Sequence, residues 1–364
     1  MILCGLPGAQ GHAEVDVDKI AIIGLGLIGG SIGLALKEQK DPKLQVIGFD
    51  AEVDIGTKAQ KRGAVDKAVW RLPEAVEGAQ IVIIATPVLA IREVLQTIAE
   101  MLQPGAVVTD TGGTKSAVMA WAKEYLPQGI SFIGGNPLTG KDVVGIEKAS
   151  PALFHNSRYV LIPDKAAHGS AVQAVVDLVS TTLKAKPYFM DADEHDSYAA
   201  AVTHLPMLLA QTVVGATSKS PSWKEMSRLA ASGFEASSSL AGADPLNNLD
   251  ICITNREAIV HWANEAIREM ARFRDLVSGS TNEAGAEALG TALARSWEAR
   301  EVWHTKYLEG DISDDAPARP SMPSPGEQLA DFMIGAKLRE RYQQMFKLNE
   351  TKEQERRQRR FRRA

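Results

Sequence analysis

The stretch from Lys19 to Lys37 constrains the fold of this chain more than any other. A short run rich in isoleucine is followed at once by Gly24, Gly26 and Gly29, and then by an apolar run with helical spacing. This order predicts a buried strand, a tight turn and a helix. Gly24 permits the turn, Gly26 lets a pyrophosphate approach the backbone, and Gly29 lets the helix pack closely against the strand.

A second predicted strand, residues 45–50, ends in an acid, Asp50. Its carboxylate can accept hydrogen bonds from an adenosine ribose and would repel a 2′-phosphate, which favours NAD over NADP. The alternative is a glycine-rich turn that binds no dinucleotide. We predict that NAD is bound by residues at the carboxyl ends of the first strands: Gly24, Gly26, Leu27, Ile28, Gly29, Asp50, Thr86 and Pro87.

Strands continue to alternate with helices beyond this unit, which predicts the α/β class. We expect a Rossmann-type, doubly wound parallel sheet followed by an all-helical dimerisation domain. Arg158–Pro163 is expected to be the last strand, and residues 186–190 an extended link. Ligands of such sheets lie beyond the carboxyl ends of the strands, so residues 110–115 and Asn136 should share one cleft with the glycine turn.

The predicted domains follow from these patterns and from composition. Asp191 is a good N-cap for a long helix that Pro206 should kink. Prolines concentrate after residue 316, and basic residues concentrate at the end. The expected organisation is a loose N-terminal arm (1–18), a dinucleotide-binding domain (19–163), a helical substrate and dimerisation domain (164–310), a proline-rich linker (311–326) and a basic helix or tail (327–364).

Composition excludes several classes of protein. The 364 residues carry a net charge of −5, which gives no global reason to expect nucleic acid binding. The two cysteines, Cys4 and Cys252, form neither a disulfide framework nor a zinc motif, so we expect no metal and a reducing cytoplasm. We expect no signal peptide and no membrane helix. The basic tail is expected to be a solvated end or a partner-binding helix.

Several motifs together resemble the prephenate/arogenate dehydrogenase family of tyrosine biosynthesis. They occur in the family's order and span about residues 19–280. They are the glycine turn with its double glycine and serine, Ala85–Val88, Gly134–Gly140, His195-Asp196 with Val202–Pro206, and Ala231–Phe234 followed by Asp244-Pro245 and Asn255–Glu257.

The resemblance implies NAD(P)-dependent oxidation of prephenate or arogenate with loss of CO2, in a homodimer. Three positions depart from the family. Its catalytic histidine falls on Asn136, the serine that supports this histidine falls on Gly113, and the arginine that binds a substrate carboxylate falls on Ser239. An amide can form a hydrogen bond with the substrate hydroxyl but cannot act as a general base near neutral pH.

Four residues are the candidate catalytic set: Asn136, His204, Lys115 and Asp142. By the resemblance, His204 faces the cleft and His195 lies at or near the subunit interface. Lys115 could bind a carboxylate in place of the missing arginine, or it could be a solvated lysine at a helix start.

Three functions remain open. The first is an NAD-dependent prephenate or arogenate dehydrogenase. The second is a dehydrogenase for another hydroxy acid or cyclohexadienyl compound. The third is a catalytically silent dinucleotide-binding regulator.

Overall fold

The computed structural model describes residues 17–139 and 144–309, together with two short strands near the start, β1 (Leu6–Pro7) and β2 (Glu14–Val15). The chain divides into two compact units, Met1–Arg274 and Asp275–Ala364. The predicted linker, the basic tail and Asp142 lie outside the described residues.

An eight-stranded sheet organises the first unit. Its strands lie in the order β10-β9-β8-β7-β6-β3-β4-β5, and every neighbouring pair is parallel except β8 with β9. In chain order they are β3 (Lys19–Ile23), β4 (Gln45–Phe49), β5 (Lys67–Val69), β6 (Ile81–Ile84), β7 (Val107–Asp110), β8 (Ser131–Leu138), β9 (Arg158–Pro163) and β10 (Lys186–Phe189).

The central strands are apolar along their whole length because both faces of the sheet are covered. In β3, Ile20 and Ile22 belong to one buried cluster, whereas Ala21 and Ile23 belong to the other. All four are fully buried. Successive side chains of a strand point to opposite faces, so this strand contributes to both cores.

Helices pack on these faces and continue into the second half of the chain. In chain order they are α1 (Leu27–Glu38), α2 (Val53–Lys61), α3 (Leu72–Val76), α4 (Val88–Ile98), α5 (Ser116–Tyr125), α6 (Gly169–Asp177), α7 (Ala192–Ala199), α8 (Leu205–Ser218), α9 (Trp223–Met226), α10 (Ser232–Ser238), α11 (Pro245–Thr254), α12 (Arg256–Gly279) and α13 (Glu283–Glu309).

The predicted fold class is confirmed, with two local corrections. Arg158–Pro163 is not the last strand, because Lys186–Phe189 pairs with it in parallel and is a strand of the same sheet. Short extended segments of this kind carry little periodicity, so sequence alone does not separate a link from an edge strand. In the predicted loose arm, Leu6–Pro7 pairs with Glu14–Val15 as a short antiparallel ribbon.

The long helix predicted after Asp191 is interrupted near Pro206, as expected. Between α7 and α8, residues Ala200–His204 form a π-helical turn, and Pro206 lies in the first turn of α8. By length and composition, the combined stretch Ala192–Ser218 could cross a membrane, which was not anticipated. This signal is weak, because core helices of soluble proteins reach the same length and apolar composition.

The second unit is described as far as Glu309. It contains the end of α12 and the whole of α13. Near the end of α13, the rings of Trp303 and Tyr307 stack with their centroids 5.2 Å apart. This stacking joins residues one helical turn apart.

Candidate cofactor and substrate site

The glycine turn between β3 and α1 is shaped by two close backbone approaches. Gly24 has a φ of 90°, and a Cβ there would lie 2.5 Å from the carbonyl oxygen of Ala85. A Cβ at Gly29 would collide with the carbonyl oxygen of Gly24. At Gly26, by contrast, a Cβ would meet nothing within 4 Å. The open side of Gly26 is the surface that a phosphate group needs for close approach.

Asp50 is held against this turn. Its Oδ2 accepts a hydrogen bond from the backbone N–H of Leu25 at 2.7 Å, and its Oδ1 accepts one from Glu52 at 2.9 Å. Each carboxylate oxygen has a second lone pair for a ligand. A cavity of about 100 Å³ adjoins Asp50 and is lined by α2 and by residues 68–70 at the end of β5. The structure thus brings the predicted acid and the predicted phosphate-binding turn together.

Thr86 and Pro87 lie at the carboxyl end of β6, directly before α4. Ala85 and Thr86 are the backbone neighbours of Gly24, so this strand end belongs to the same cleft. The N-terminus of α4 is capped from α11, where Oδ2 of Asp250 accepts a hydrogen bond from Leu89 N–H at 2.9 Å. The sequence analysis missed Asp250. Its only signal was a single acid within the predicted helical stretch that follows Asp244-Pro245.

Lys115 points into the protein and does not offer a free cation to the cleft. It is fully buried; its ammonium forms an ion pair with Oδ2 of Asp110 and donates to the carbonyl oxygen of Gly135 at 2.7 Å. Burial lowers the pKa of Lys115, although Asp110 opposes this change. Asp110 also accepts the backbone N–H groups of Gly112 and Gly135. Lys115 therefore supports the strand that carries Asn136.

Asn136 lies near the carboxyl end of β8 and contacts α7. Its Nδ2 lies 2.9 Å from Nε2 of His195, and Nδ1 of the same histidine lies 2.8 Å from Oδ1 of Asp196. His195 and Asp196 are almost fully buried, at 3% and 5% exposure. The three side chains form one continuous hydrogen-bonded chain. Sequence reasoning found Asn136 but did not connect it with His195.

Asp196 also caps α5. Its carboxylate accepts the backbone N–H groups of Lys115 at 2.7 Å and of Ser116 at 2.9 Å. Burial opposes ionisation, but the hydrogen bonds from His195, Ser116 and Lys115 outweigh it and lower the pKa of Asp196. A carboxylate at a helix N-terminus is stabilised in its charged form. Asp196 is therefore an anion that joins α7 to the N-terminus of α5.

His204 lies near this chain of hydrogen bonds but makes different contacts. Its Nδ1 accepts from Nδ2 of Asn255 at 3.2 Å, and the same amide donates to the backbone carbonyl of Asp196 at 2.7 Å. Burial lowers the pKa of His204 to about 4, so the ring is neutral at pH 7. These contacts are those of a buried packing histidine, so the structure gives no direct support to a role for His204 as proton acceptor.

Gly113 and Ser239, the other two positions that depart from the family pattern, have different surroundings in the structure. A Cβ at Gly113 would lie 3.5 Å from Cδ1 of Ile251, an ordinary contact, so a serine fits there. Ser239 is exposed, and its hydroxyl bonds only weakly to the carbonyl of Ala236, at 3.4 Å.

Comparison with known proteins identifies the family. Residues 32–188 match the family model described as "Prephenate dehydrogenase, nucleotide-binding domain", and residues 191–291 match "Prephenate dehydrogenase, dimerization domain". A prephenate dehydrogenase of Bacillus subtilis is 33% identical over 71% of this chain and 70% of its own length. One of Lactococcus lactis is 36% identical over 66% of this chain and 65% of its own length.

Solved structures agree with these relatives. Synechocystis arogenate dehydrogenase shares 26% identity at a TM-score of 0.64 and covers 78% of this chain and 99% of its own. A prephenate dehydrogenase from A. aeolicus, solved with hydroxyphenyl propionate and NAD+, has the same fold at 22% identity and a TM-score of 0.70, over 78% of this chain and 99% of its own. The sequence resemblance is confirmed: this chain belongs to the prephenate dehydrogenase family.

Proposed function

We propose that the protein catalyses the NAD-dependent oxidative decarboxylation of prephenate or arogenate in tyrosine biosynthesis. The observation that carries this proposal is the glycine turn, open at Gly26 and bonded to Asp50, in a chain that belongs to this family. The turn fits a dinucleotide because only a missing Cβ leaves the backbone accessible to a pyrophosphate. The N–H groups that begin α1, including those of Leu27 and Ile28, would bind it.

In the proposed reaction, the hydrogen on the hydroxyl-bearing ring carbon leaves as a hydride. The ring carboxylate leaves as CO2, and the electrons of its C–C bond complete the aromatic ring. NAD+, when bound, supplies the hydride acceptor. The chain's own contribution is orientation, with Asp50 directed to the ribose and the amide of Asn136 directed to the substrate hydroxyl.

Turnover assays with prephenate and with arogenate, each with NAD and with NADP, test this function. We expect NADH formation with one of the two substrates. A positioned base is worth about 10²–10⁴-fold in rate, so turnover should be slow where Asn136 replaces the histidine. NAD binding without turnover of either substrate would contradict the proposal. It would favour the dehydrogenase for a different substrate or the silent regulator.

Asp50 should set the choice of cofactor. We expect wild type to prefer NAD, because a 2′-phosphate would meet the carboxylate that Leu25 and Glu52 hold in place. The double substitution Asp50→Ser and Ala51→Arg should shift the ratio of the two kcat/KM values toward NADP. Steady-state kinetics with both cofactors measures this shift, and binding titrations give the corresponding ratio of Kd values. Asp54→Ser, an acid on the neighbouring helix α2, is the matched control and should leave the ratio unchanged. Tighter NADP binding by wild type would contradict our interpretation of the strand end.

We infer that the helical half forms a homodimer, in agreement with the matched dimerization domain. Apolar side chains on α11 and α12 are at least half exposed in the single chain: Leu249, Ile253, Val260, Ile267 and Met270. A subunit interface across these helices would cover the exposed apolar side chains. The proposed partners are otherwise a small-molecule substrate, with neither membrane nor nucleic acid.

We further propose a cytoplasmic location, which two widely separated cysteines suit. The boundary between the two domains is proposed at about residue 190 and no longer at 163, because β10 ends at Phe189 and the two family matches meet there.

A further inference from the structure

The chain of hydrogen bonds from Asp196 through His195 to Asn136 has a fixed direction. Asp196 is fixed at one end, because the backbone N–H groups of Lys115 and Ser116 bind its two oxygens. A carboxylate only accepts hydrogen bonds, so the Nδ1 of His195 that faces it must carry a proton and donate.

The second nitrogen of the ring continues the chain. Nε2 of His195 lies 2.9 Å from Nδ2 of Asn136. An amide nitrogen only donates hydrogen bonds, so Asn136 donates here and the lone pair of Nε2 accepts. The amide of Asn136 is oriented as a consequence, and its remaining acceptor, Oδ1, lies on the side of the amide away from Nδ2. Without His195 the two orientations of this amide would not be distinguished.

We propose that Asp196 and His195 are positioning residues that act through Asn136, fixing and polarising its Oδ1 as the acceptor for the substrate's ring hydroxyl. This inference rests on the proposed function. Successive hydrogen bonds in a low-dielectric interior polarise one another, so the charge of Asp196 strengthens Oδ1 as an acceptor.

A neutral acceptor is sufficient for the balance of the reaction. The hydride and the electron pair from the lost carboxylate account for all the electrons, and the product is a phenol that keeps its hydroxyl proton. The acceptor need only stabilise the positive charge that develops on the hydroxyl-bearing carbon as the hydride leaves. The protein can therefore retain turnover without an imidazole at position 136.

Substitution of His195 by phenylalanine tests the proposal. The variant keeps a ring of similar size but removes both nitrogens, so Asn136 is no longer oriented. We expect kcat to fall about 10- to 100-fold, the range found when a hydrogen-bonded partner that orients a metal ligand is removed. NAD affinity should stay within about twofold, whereas KM should rise because the substrate's ring hydroxyl loses its oriented acceptor. His195→Gln is a second variant in case phenylalanine impairs folding, and His155→Phe, at an exposed histidine outside the site, is the matched control.

A double-mutant cycle separates positioning from general structural damage. If His195 acts through Asn136, adding His195→Phe to Asn136→Ala should cost less than twofold more than Asn136→Ala alone, because residues that act as a unit are not additive. Independent, additive losses in kcat would overturn the proposal. Equal falls in kcat and NAD affinity for His195→Phe would overturn it as well.

A binding measurement decides the inference even if neither substrate is turned over. Hydroxyphenyl propionate and phenylpropionate differ only in the ring hydroxyl. In the NAD complex, wild type should bind the hydroxylated compound more tightly, and His195→Phe should remove that preference while leaving phenylpropionate binding unchanged. A preference that survives the substitution, or one that wild type lacks, would refute the role of His195. If wild type turned over neither prephenate nor arogenate but showed this preference, and His195→Phe removed it, only the proposed function would be contradicted.

Discussion

Replacing Lys115 with methionine should lower the free energy of unfolding by about 3–5 kcal/mol, the usual cost of breaking a buried ion pair from one side. The ammonium of Lys115 pairs with Asp110, and both side chains are fully buried. Methionine has a similar length but carries no charge. The carboxylate of Asp110 would stay in the interior with only two backbone N–H groups to compensate it. Urea unfolding followed by circular dichroism measures the loss.

The double variant Lys115→Met with Asp110→Asn is the control for this prediction. Removing both charges should restore part of the stability, because no unpaired anion remains in the interior. The recovery is incomplete because the amide nitrogen of asparagine cannot accept the backbone N–H group that one oxygen of Asp110 accepts. Lys58→Met is the matched surface control, since Lys58 pairs with Glu147 in solvent and its loss should have no measurable effect. A single variant as stable as wild type would show that Asp110 is protonated or reached by water.

The ion pair between Lys115 and Asp110 also shows which part of the site could not be predicted from the sequence. The pattern of strands and turns placed Lys115 in the correct loop, because strand ends follow from hydrophobic periodicity. The direction of its side chain depends on the carboxylate of Asp110, five residues earlier, and on the carbonyl of Gly135 in β8. The contact with β8 is not encoded locally. From its place in the loop, Lys115 is expected to bind substrate. In the structure it supports β8 instead.

In the cofactor and substrate site, too, positions at strand ends could be predicted from the sequence, whereas contacts that depend on packing between distant elements could not. The glycine turn and Asp50 could be predicted together, since each follows a strand and adjacent parallel strands end at the same edge. The contact between Asn136 and His195 could not, because it depends on how α7 packs against β8. Asp250 and Asp196 were missed as helix caps for this reason: each binds the N-terminus of a distant helix.

Alanine substitutions at Gly26 and Gly29 should separate cofactor binding from folding. Gly26→Ala should leave stability nearly unchanged, because its Cβ points into open space, but the methyl group would stand where the pyrophosphate approaches. A hydrogen bond to a charged group is worth about 1.5–3 kcal/mol. Losing one therefore raises the Kd for NAD about 10- to 100-fold.

Gly29→Ala should impair both properties. Its Cβ would overlap the carbonyl oxygen of Gly24, and this backbone atom cannot rotate away as a side chain can. Relief requires α1 to move away from the turn, which we expect to cost about 3 kcal/mol, the upper end of the usual range for overpacking. The N–H groups that should bind the pyrophosphate would move with the helix, so NAD binding should be lost as well. Thermal unfolding without cofactor and NAD titration measure the two effects separately.

Gly215→Ala is the matched control for both substitutions, because it adds the same methyl group inside α8 with nothing within 4 Å. It should leave NAD affinity unchanged and raise stability by up to about 1 kcal/mol, the helix-propensity difference between the two residues. We thus expect Gly215→Ala to be the most stable of the three variants, Gly26→Ala the next and Gly29→Ala the least stable. NAD affinity, by contrast, should fall in both Gly26→Ala and Gly29→Ala. If Gly26→Ala bound NAD as wild type does, the open face of the turn would not be the pyrophosphate site, and the assignment of the cofactor to this strand end would fail even though the fold remained correct.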